Sequence, residues 1–270
     1  HFHGWQDHVA FGSKYAGTDN IPGIIDGIIE NVIVADPSDP DGIKETLEMD
    51  GDIAAVILEP TGASSGQIPL SREFAKMLRE VTKAQGIVLI FDEVVTGFRV
   101  SAGGAQAAFG LLPDLTALAK ILAGGLPGGA VCGRRDIMQL LDFEAAEFHG
   151  FQKIPHQGTF NANPLSAATG VEMLARVAET EVSEQANEQG RKLMAACNKA
   201  FATSDLAWAA YGNGSSVYIF TNPDGLEIDP ENFDALAQPM PVMERASNHT
   251  AKDLFRLAML VNGIDFNSKP

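Results

Sequence analysis

Two short apolar runs, each ending in acidic residues, constrain the fold of this chain more than any other feature. Ile53 to Leu58 leads into Glu59-Pro60, and Ile87 to Phe91 leads into Asp92-Glu93. Continuous apolar runs of this length are typical of strands in a parallel sheet that is covered on both faces. We therefore expect two buried strands whose carboxyl ends carry acidic side chains.

The segment between the two runs has the pattern of a helix. Ser71 is a candidate N-cap and Gly86 lies just past the expected end. Apolar residues recur between them at helical spacing, namely Phe74, Met77, Leu78 and Val81. Strand, helix and strand with short connections predict a βαβ unit with a right-handed crossover. Functional residues should then gather at the carboxyl ends of the strands.

Further elements extend this α/β pattern along the chain. We expect strands over residues 115–119 and 129–133, a helix over 136–141 and a weaker strand over 216–220. After Pro164 the chain becomes mostly helical, and one apolar stripe at helical spacing comprises Val182, Ala186, Gly190, Leu193 and Cys197. The change in texture predicts a domain boundary near residue 177.

The charge of the chain and the length of its apolar runs argue against nucleic acid and membrane as partners. Its formal net charge is −16 over 270 residues, and no cluster of Lys and Arg offers the basic face that nucleic acid requires. No apolar run reaches the roughly 18 residues of a membrane span. We expect a soluble protein. Because the chain begins at His1 without an initiator Met, we also expect it to be an internal piece of a longer protein.

The cysteines and histidines do not predict a metal site. Cys132 and Cys197 lie far apart and outside any zinc-ligand spacing, which favours a reducing cytoplasm and no disulfide. His1, His3 and His8 have no Cys or carboxylate in ligand spacing beside them. We expect a cytoplasmic protein without a bound metal.

Two charged residues, Asp92 and Lys120, stand in apolar surroundings, where a charge is unfavourable unless a partner compensates it. Asp92 ends an apolar strand and needs a cationic partner, which could be an arginine or a protonated ring nitrogen. Lys120 follows a mostly apolar stretch, where desolvation would favour the neutral, nucleophilic amine. The alternative is that Asp92 pairs with Arg99 or Arg134 and Lys120 extends to the surface. Spacing alone leaves both interpretations open.

A longer chain of motifs distinguishes the two interpretations. The segments that matter are Phe91 to Arg99, Pro113 to Lys120, Gly124 to Gly129, and also Glu59-Pro60, Gly103 to Gln106 and Gly158 to Pro164. Together they resemble the class III aminotransferases, which depend on pyridoxal 5'-phosphate (PLP). The resemblance runs from Phe2 to roughly Glu172 and is weak beyond that point.

The resemblance implies an α/β architecture, the PLP-dependent transferase fold of type I. Residues 1–177 would be the later part of a PLP-binding large domain with a mostly parallel sheet. Residues 178–270 would be part of a smaller C-terminal α/β domain.

The same resemblance implies catalytic roles. Lys120 would be the Schiff-base lysine and would shuttle a proton between substrate and cofactor. Asp92 would form a salt bridge with the pyridine nitrogen, which preserves the ring as an electron sink. Val94 would pack on one face of the ring.

Three further residues would complete the cofactor site. Phe2 would stack on the other face of the ring, and His3 would belong to the turn on the cofactor side. Thr159 would hydrogen-bond the cofactor phosphate of a neighbouring subunit, which implies a homodimer with a shared active site.

The resemblance divides between two reactions on a small-molecule substrate. Val95 to Arg99 and Gly103 to Gln106 favour the glutamate-1-semialdehyde 2,1-aminomutase branch, in which the cofactor passes through its pyridoxamine form. Thr159 to Pro164 looks more like an ordinary aminotransferase that acts on an amino acid or amine and a keto acid. A third possibility is a non-catalytic fragment or partner-binding relic, because the family's own phosphate-binding turn lies upstream of Phe2.

Overall fold

The chain forms a mixed sheet and a separate hairpin, with helices packed against both. The computed structural model describes residues 1–10 and 22–266. Its strands, β1 to β7, are Ala55–Leu58, Ile68–Pro69, Val88–Glu93, Leu115–Ala119, Gly129–Gly133, Ala209–Asn213 and Ser216–Phe220. Its α-helices, α1 to α11, are Asp26–Ile29, Pro40–Met49, Ala63–Gly66, Arg72–Gln85, Gly104–Phe109, Arg135–Met138, Phe143–His149, Pro164–Glu179, Val182–Ala202, Met240–Asn248 and Ala251–Val261. Single 3₁₀ turns lie at Asp7–Val9, Lys120–Ala123, Gln139–Leu141 and Pro230–Asn232.

The larger sheet confirms the predicted parallel arrangement. It has four strands in the order β1-β3-β4-β5, in which β1, β3 and β4 are parallel and β5 is antiparallel to β4. β3 is longer than the apolar run, so Asp92 and Glu93 are its last two residues instead of following it. The helix expected over 136–141 is shorter, because α6 ends at Met138 and continues as a 3₁₀ turn.

The helix of the βαβ unit begins and ends where the sequence predicts. The Ser71 hydroxyl accepts a hydrogen bond from the Phe74 N–H at 3.1 Å, as an N-cap should. Gly86 closes α4 with a φ of +73°, a left-handed conformation that glycine adopts without strain.

Among the helices of the described part of the chain, none is long and apolar enough to cross a membrane.

Two hydrophobic cores lie in different parts of the sequence. The first joins α2, β1, α4 and β3 through Leu47, Leu58, Leu70, Leu78, Val81, Ile87, Leu89 and Phe91. The second joins the β6-β7 hairpin to α10 through Ala209, Tyr211, Phe220, Val242, Met243 and Ala246. The domain boundary expected near residue 177 falls inside α8 and stays a prediction.

The apolar stripe expected on α9 is not its buried face. Three of its members are exposed, namely Val182, Ala186 and Leu193. The helix packs through one member of the stripe, Gly190, and through Asn187, whose side-chain N–H donates to the Val100 carbonyl at 3.0 Å. A Cβ at Gly190 would lie 2.3 Å from the Gly214 carbonyl oxygen. The contact face of α9 is therefore determined by a close backbone approach and a side-chain hydrogen bond. The spacing of apolar residues predicts neither of these.

Asp114, just before β4, ties the sheet to its surroundings. Its Oδ2 accepts the Leu89 N–H at 2.8 Å and Arg79 Nη1 at 2.9 Å, and its Oδ1 accepts Arg134 Nη1 at 3.0 Å. Burial by itself would raise the pKa of Asp114. The hydrogen bonds from Leu89, Arg134 and Arg79 outweigh burial and hold the pKa below the usual aspartate value.

We expect Asp114→Asn to lower the free energy of unfolding by about 3 kcal/mol, because Arg79 and the Leu89 N–H lose a buried charged acceptor. A lowered carboxyl pKa stabilises the fold above the unfolded-state pKa of about 4, and this contribution disappears as pH falls through the folded-state pKa. Urea unfolding should therefore show a variant deficit at pH 7 that shrinks in acid. Asp136→Asn is the control, since Asp136 pairs with the same Arg134 at the exposed surface. Equal deficits for the two variants would contradict the prediction.

Candidate functional site

The carboxyl ends of β1, β3 and β4 bring the predicted residues to one edge of the sheet. Leu58 pairs with Phe91, so Glu59 and Asp92 follow at the same level on neighbouring strands. Asp92 pairs with Ala117, three residues before Lys120, which follows the end of β4 directly. This is the edge at which parallel α/β sheets place their ligands.

Asp92 is a buried carboxylate with a histidine partner. Its Oδ2 lies 2.8 Å from His3 Nδ1, and both side chains are about nine-tenths buried. Because a carboxylate only accepts, the His3 ring donates here. The other oxygen, Oδ1, accepts the Val94 N–H at 3.0 Å. These contacts hold the carboxylate in one orientation, and each oxygen retains acceptor capacity for a further donor.

The alternative partners expected for Asp92 are wrong. Arg134 pairs with Asp114 and Asp136. The Arg99 guanidinium donates to the Val95 carbonyl at 3.2 Å and approaches the hydroxyl of Ser215 at 3.5 Å. Both arginines are therefore engaged elsewhere, and the protein side chain that contacts Asp92 is the imidazole of His3.

Glu59 is the second buried carboxylate at this edge, and the sequence left its role open. Its Oε1 accepts the backbone N–H of Phe2 at 3.1 Å, and its Oε2 accepts that of Ser65 at 2.6 Å. Its own N–H donates to His1 Nδ1 at 2.8 Å. The segment 1–3 therefore crosses the ends of β1 and β3, attached to Glu59 at one end and to Asp92 at the other.

The turn after Glu59 has a strained backbone. Ser64 and Ser65 have φ values of +53° and +63°, which residues other than glycine rarely adopt. The Tyr218 hydroxyl, from β7, lies 3.1 Å from the Ser64 carbonyl and 3.2 Å from that of Ser65. Burial raises the pKa of Tyr218, so the phenol stays protonated and able to donate. Apart from its glycines, no feature of the sequence predicts this turn.

Glu93, next to Asp92, serves the fold. It is fully buried, and its carboxylate accepts the N–H groups of Ala105 at 2.5 Å and Gln106 at 3.1 Å in the first turn of α5. A negative charge is favourable at this end of a helix. A Cβ at Gly104 would lie 2.4 Å from Glu93 Oε2, which explains the glycine there. Because successive side chains of a strand point to opposite faces of the sheet, the adjacent residues Asp92 and Glu93 contact different parts of the protein.

Lys120 occupies an unusual backbone position. It has a φ of +51° and opens the 3₁₀ turn Lys120–Ala123. That turn packs closely on α8, since a Cβ at Gly124 would lie 2.5 Å from the Thr169 carbonyl oxygen. The absence of a side chain at Gly124 therefore allows this close approach of α8. The Lys120 side chain is exposed, so the described residues do not desolvate its amine as expected.

The remaining predicted site residues differ in how close they lie to Asp92. Phe2 is 63% exposed, and Val94 is half-buried beside Asp92. Thr159 is exposed in the loop before α8. The structure therefore brings together His3, Asp92, Val94 and the backbone of Phe2, with Lys120 at the same sheet edge. Thr159 makes no hydrogen bond to these residues within the described ranges.

Comparison with known proteins places the chain in a family. The model of the family "Aminotransferase class-III" matches residues 40–210, which extends past the point where the motifs weaken. A glutamate-1-semialdehyde 2,1-aminomutase of Desulforudis audaxviator is 38% identical over 213 residues, 78% of this chain and 48% of that protein. The chain thus spans about half the length of this relative.

Solved structures agree in fold. An omega-transaminase from Sphaerobacter thermophilus superposes with a TM-score of 0.79 at 28% identity, over 99% of this chain and 60% of that one. A transaminase with PLP bound gives 0.78 at 31% identity, over 100% and 59%. These matches confirm the predicted PLP-transferase fold with its mostly parallel sheet. The chain belongs to the class III aminotransferases.

Proposed function

We propose that the protein is a PLP-dependent enzyme that moves amino groups on a small-molecule substrate. The observation that carries this proposal is the placement of Asp92, buried and oriented by His3, beside Lys120 at one edge of the sheet. The family assignment supports it, because the relative named above is an aminomutase and both solved structures are transaminases.

The side chains at this edge fit such a cofactor. Asp92 offers a buried carboxylate with acceptor capacity to spare, as a protonated ring nitrogen requires. Lys120 has no carboxylate of residues 1–10 or 22–266 within salt-bridge distance, so its amine is available. Phe2 presents an exposed aromatic ring at the same edge. When bound, PLP supplies an electron sink for the reacting carbon of the substrate.

The chain's own residues would divide the work at this site. Lys120 is the covalent anchor and carries a proton to and from the reacting carbon. Asp92 would hold a proton on the ring nitrogen, and the hydrogen bond from His3 fixes the orientation of its carboxylate for that role. Phe2 and Val94 would orient the ring and exclude water from it.

We also propose an assembly and a domain division. Thr159 would bind the cofactor phosphate of a neighbouring subunit, and its exposed position is compatible with this role. The functional unit would be a homodimer. The two separate cores support a large domain ending near residue 177 and a smaller one beginning at 178. The free thiols of Cys132 and Cys197 are compatible with the cytoplasm.

The reaction we favour is the aminomutase one, from glutamate-1-semialdehyde to 5-aminolevulinate. The relative at 38% identity has this name. An aminotransferase with a separate keto-acid acceptor is the second candidate, favoured by the solved transaminases and by the run Thr159 to Pro164. The two differ in whether the amino group leaves the substrate molecule.

We expect borohydride treatment of the PLP-loaded, full-length protein to fix the cofactor covalently on Lys120, which peptide mapping by mass spectrometry would show. Lys120→Ala should fold normally and lose the label, because the anchor and the proton carrier are one residue. Lys83→Ala, which removes an exposed lysine from α4, should keep it. A label on any lysine other than Lys120 would refute the assignment.

Asp92→Asn should cut the turnover rate far more than PLP affinity. The amide still hydrogen-bonds but no longer stabilises a charged ring nitrogen, so a loss of about a hundredfold in kcat is expected. The comparison needs kcat and the cofactor dissociation constant for both proteins. Near-native turnover would mean that the carboxylate serves the fold alone.

The aminomutase reaction predicts turnover without an acceptor. The pyridoxamine-loaded protein should convert glutamate-1-semialdehyde into 5-aminolevulinate over many cycles, because the amino group returns to the cofactor each time. Product is followed against enzyme concentration with and without added 2-oxoglutarate. A single burst that resumes only after the keto acid arrives would favour the aminotransferase instead.

A further inference from the structure

Glu59 is buried without a cation. It is 6% exposed, and no Lys or Arg of the described segments lies within salt-bridge distance of it. Its oxygens accept from Phe2 N–H (3.1 Å), Ser64 N–H (3.3 Å), Ser65 N–H (2.6 Å) and the Ser65 hydroxyl (3.5 Å). A buried carboxylate is unfavourable unless such donors compensate it. Here the donors come from two separate segments of the chain.

The first of these segments carries Phe2. Phe2 is 63% exposed, so packing in a core does not determine where its ring points. Its backbone is instead held on both sides, by Glu59 through its own N–H and by Asp92 through the neighbouring His3. The direction of an exposed ring then depends on these two anchors, and the loss of either would release it.

The second segment is the strained turn at Ser64 and Ser65. Such backbone conformations persist only where the surroundings hold them from several sides. The Tyr218 hydroxyl contacts both carbonyl groups of the turn, and Glu59 accepts both of its N–H groups. A strained turn next to the end of β1 would relax if the carboxylate were lost.

We propose that Glu59 is a positioning residue of the active site. Its carboxylate joins the Phe2 segment to the serine turn, so that the aromatic face offered to the cofactor and the adjacent rim of the site keep a constant geometry. Glu59 acts through Phe2 and the turn and does not itself touch the cofactor. This inference rests on the proposed function, because it presumes that PLP binds beside Phe2.

The test uses Glu59→Gln in the full-length, PLP-loaded protein. The amide replaces one acceptor oxygen by an NH2 group that faces N–H donors, so the junction should loosen. We expect borohydride still to label Lys120, the visible circular dichroism band per bound PLP to weaken, and kcat/KM to fall by about tenfold to a hundredfold. Asp114→Asn is the matched control: it also removes a buried carboxylate bonded to backbone N–H, but away from this segment. Its band per bound PLP should not change.

A double-mutant cycle with Phe2→Leu separates positioning from general destabilisation. Phe2→Leu alone should weaken the band, and adding Glu59→Gln should weaken it little further if Glu59 acts through Phe2. Fully additive losses, or a Glu59→Gln band equal to wild type, would overturn the proposal. If Glu59→Gln does not fold, Glu59→Asp, which keeps the charge on a shorter side chain, is judged by the same criteria. A wild-type protein that takes no label on Lys120 would overturn the proposed function as well.

Discussion

The parallel pairing of β1, β3 and β4 is the constraint on which the rest of the site depends. Because parallel strands end at the same edge, Glu59, Asp92 and Lys120 lie along one edge of the sheet although they are far apart in sequence. The pairing is stabilised by the core beneath it, to which β1 and β3 contribute Leu58, Leu89 and Phe91. Any shift of register by one residue would turn Asp92 to the opposite face of the sheet.

Three carboxylates are buried near this edge, and each is compensated differently. Glu93 faces the first turn of a helix, Glu59 faces backbone N–H groups of two loops, and Asp92 faces an imidazole and one N–H. Within the described residues, none of the three has an arginine or lysine partner. Asp92 differs in two respects. Its neighbours leave acceptor capacity unused, and it pairs with Ala117 of β4, the strand that Lys120 follows. Compensation, more than burial, distinguishes the candidate cofactor ligand from the structural acids.

The exposed positions of Lys120, Phe2 and Thr159 give the site its open character. Schiff-base chemistry at an exposed Lys120 needs further atoms around its amine. The proposed cofactor, enclosed between Phe2 and Val94, and a second subunit bearing Thr159 are the groups that would supply them. The chain spans about half the length of the aminomutase relative, and it contributes the sheet edge at which Asp92 and Lys120 lie.

The sequence by itself determined most of the elements and indicated the candidate site residues. Apolar runs ending in acids indicated β1 and β3, the Ser71 cap and Gly86 bounded α4, and the ordered motifs indicated Asp92 and Lys120. These signals depend on residue type and on short spacings along the chain, so the sequence alone contains them. Tertiary structure alone decided the partners: His3 and not Arg99 for Asp92, the Thr169 turn of α8 beside Gly124, and the Val100 carbonyl for Asn187 of α9. Partner choice depends on distances between segments far apart in the chain, which periodicity and composition do not contain.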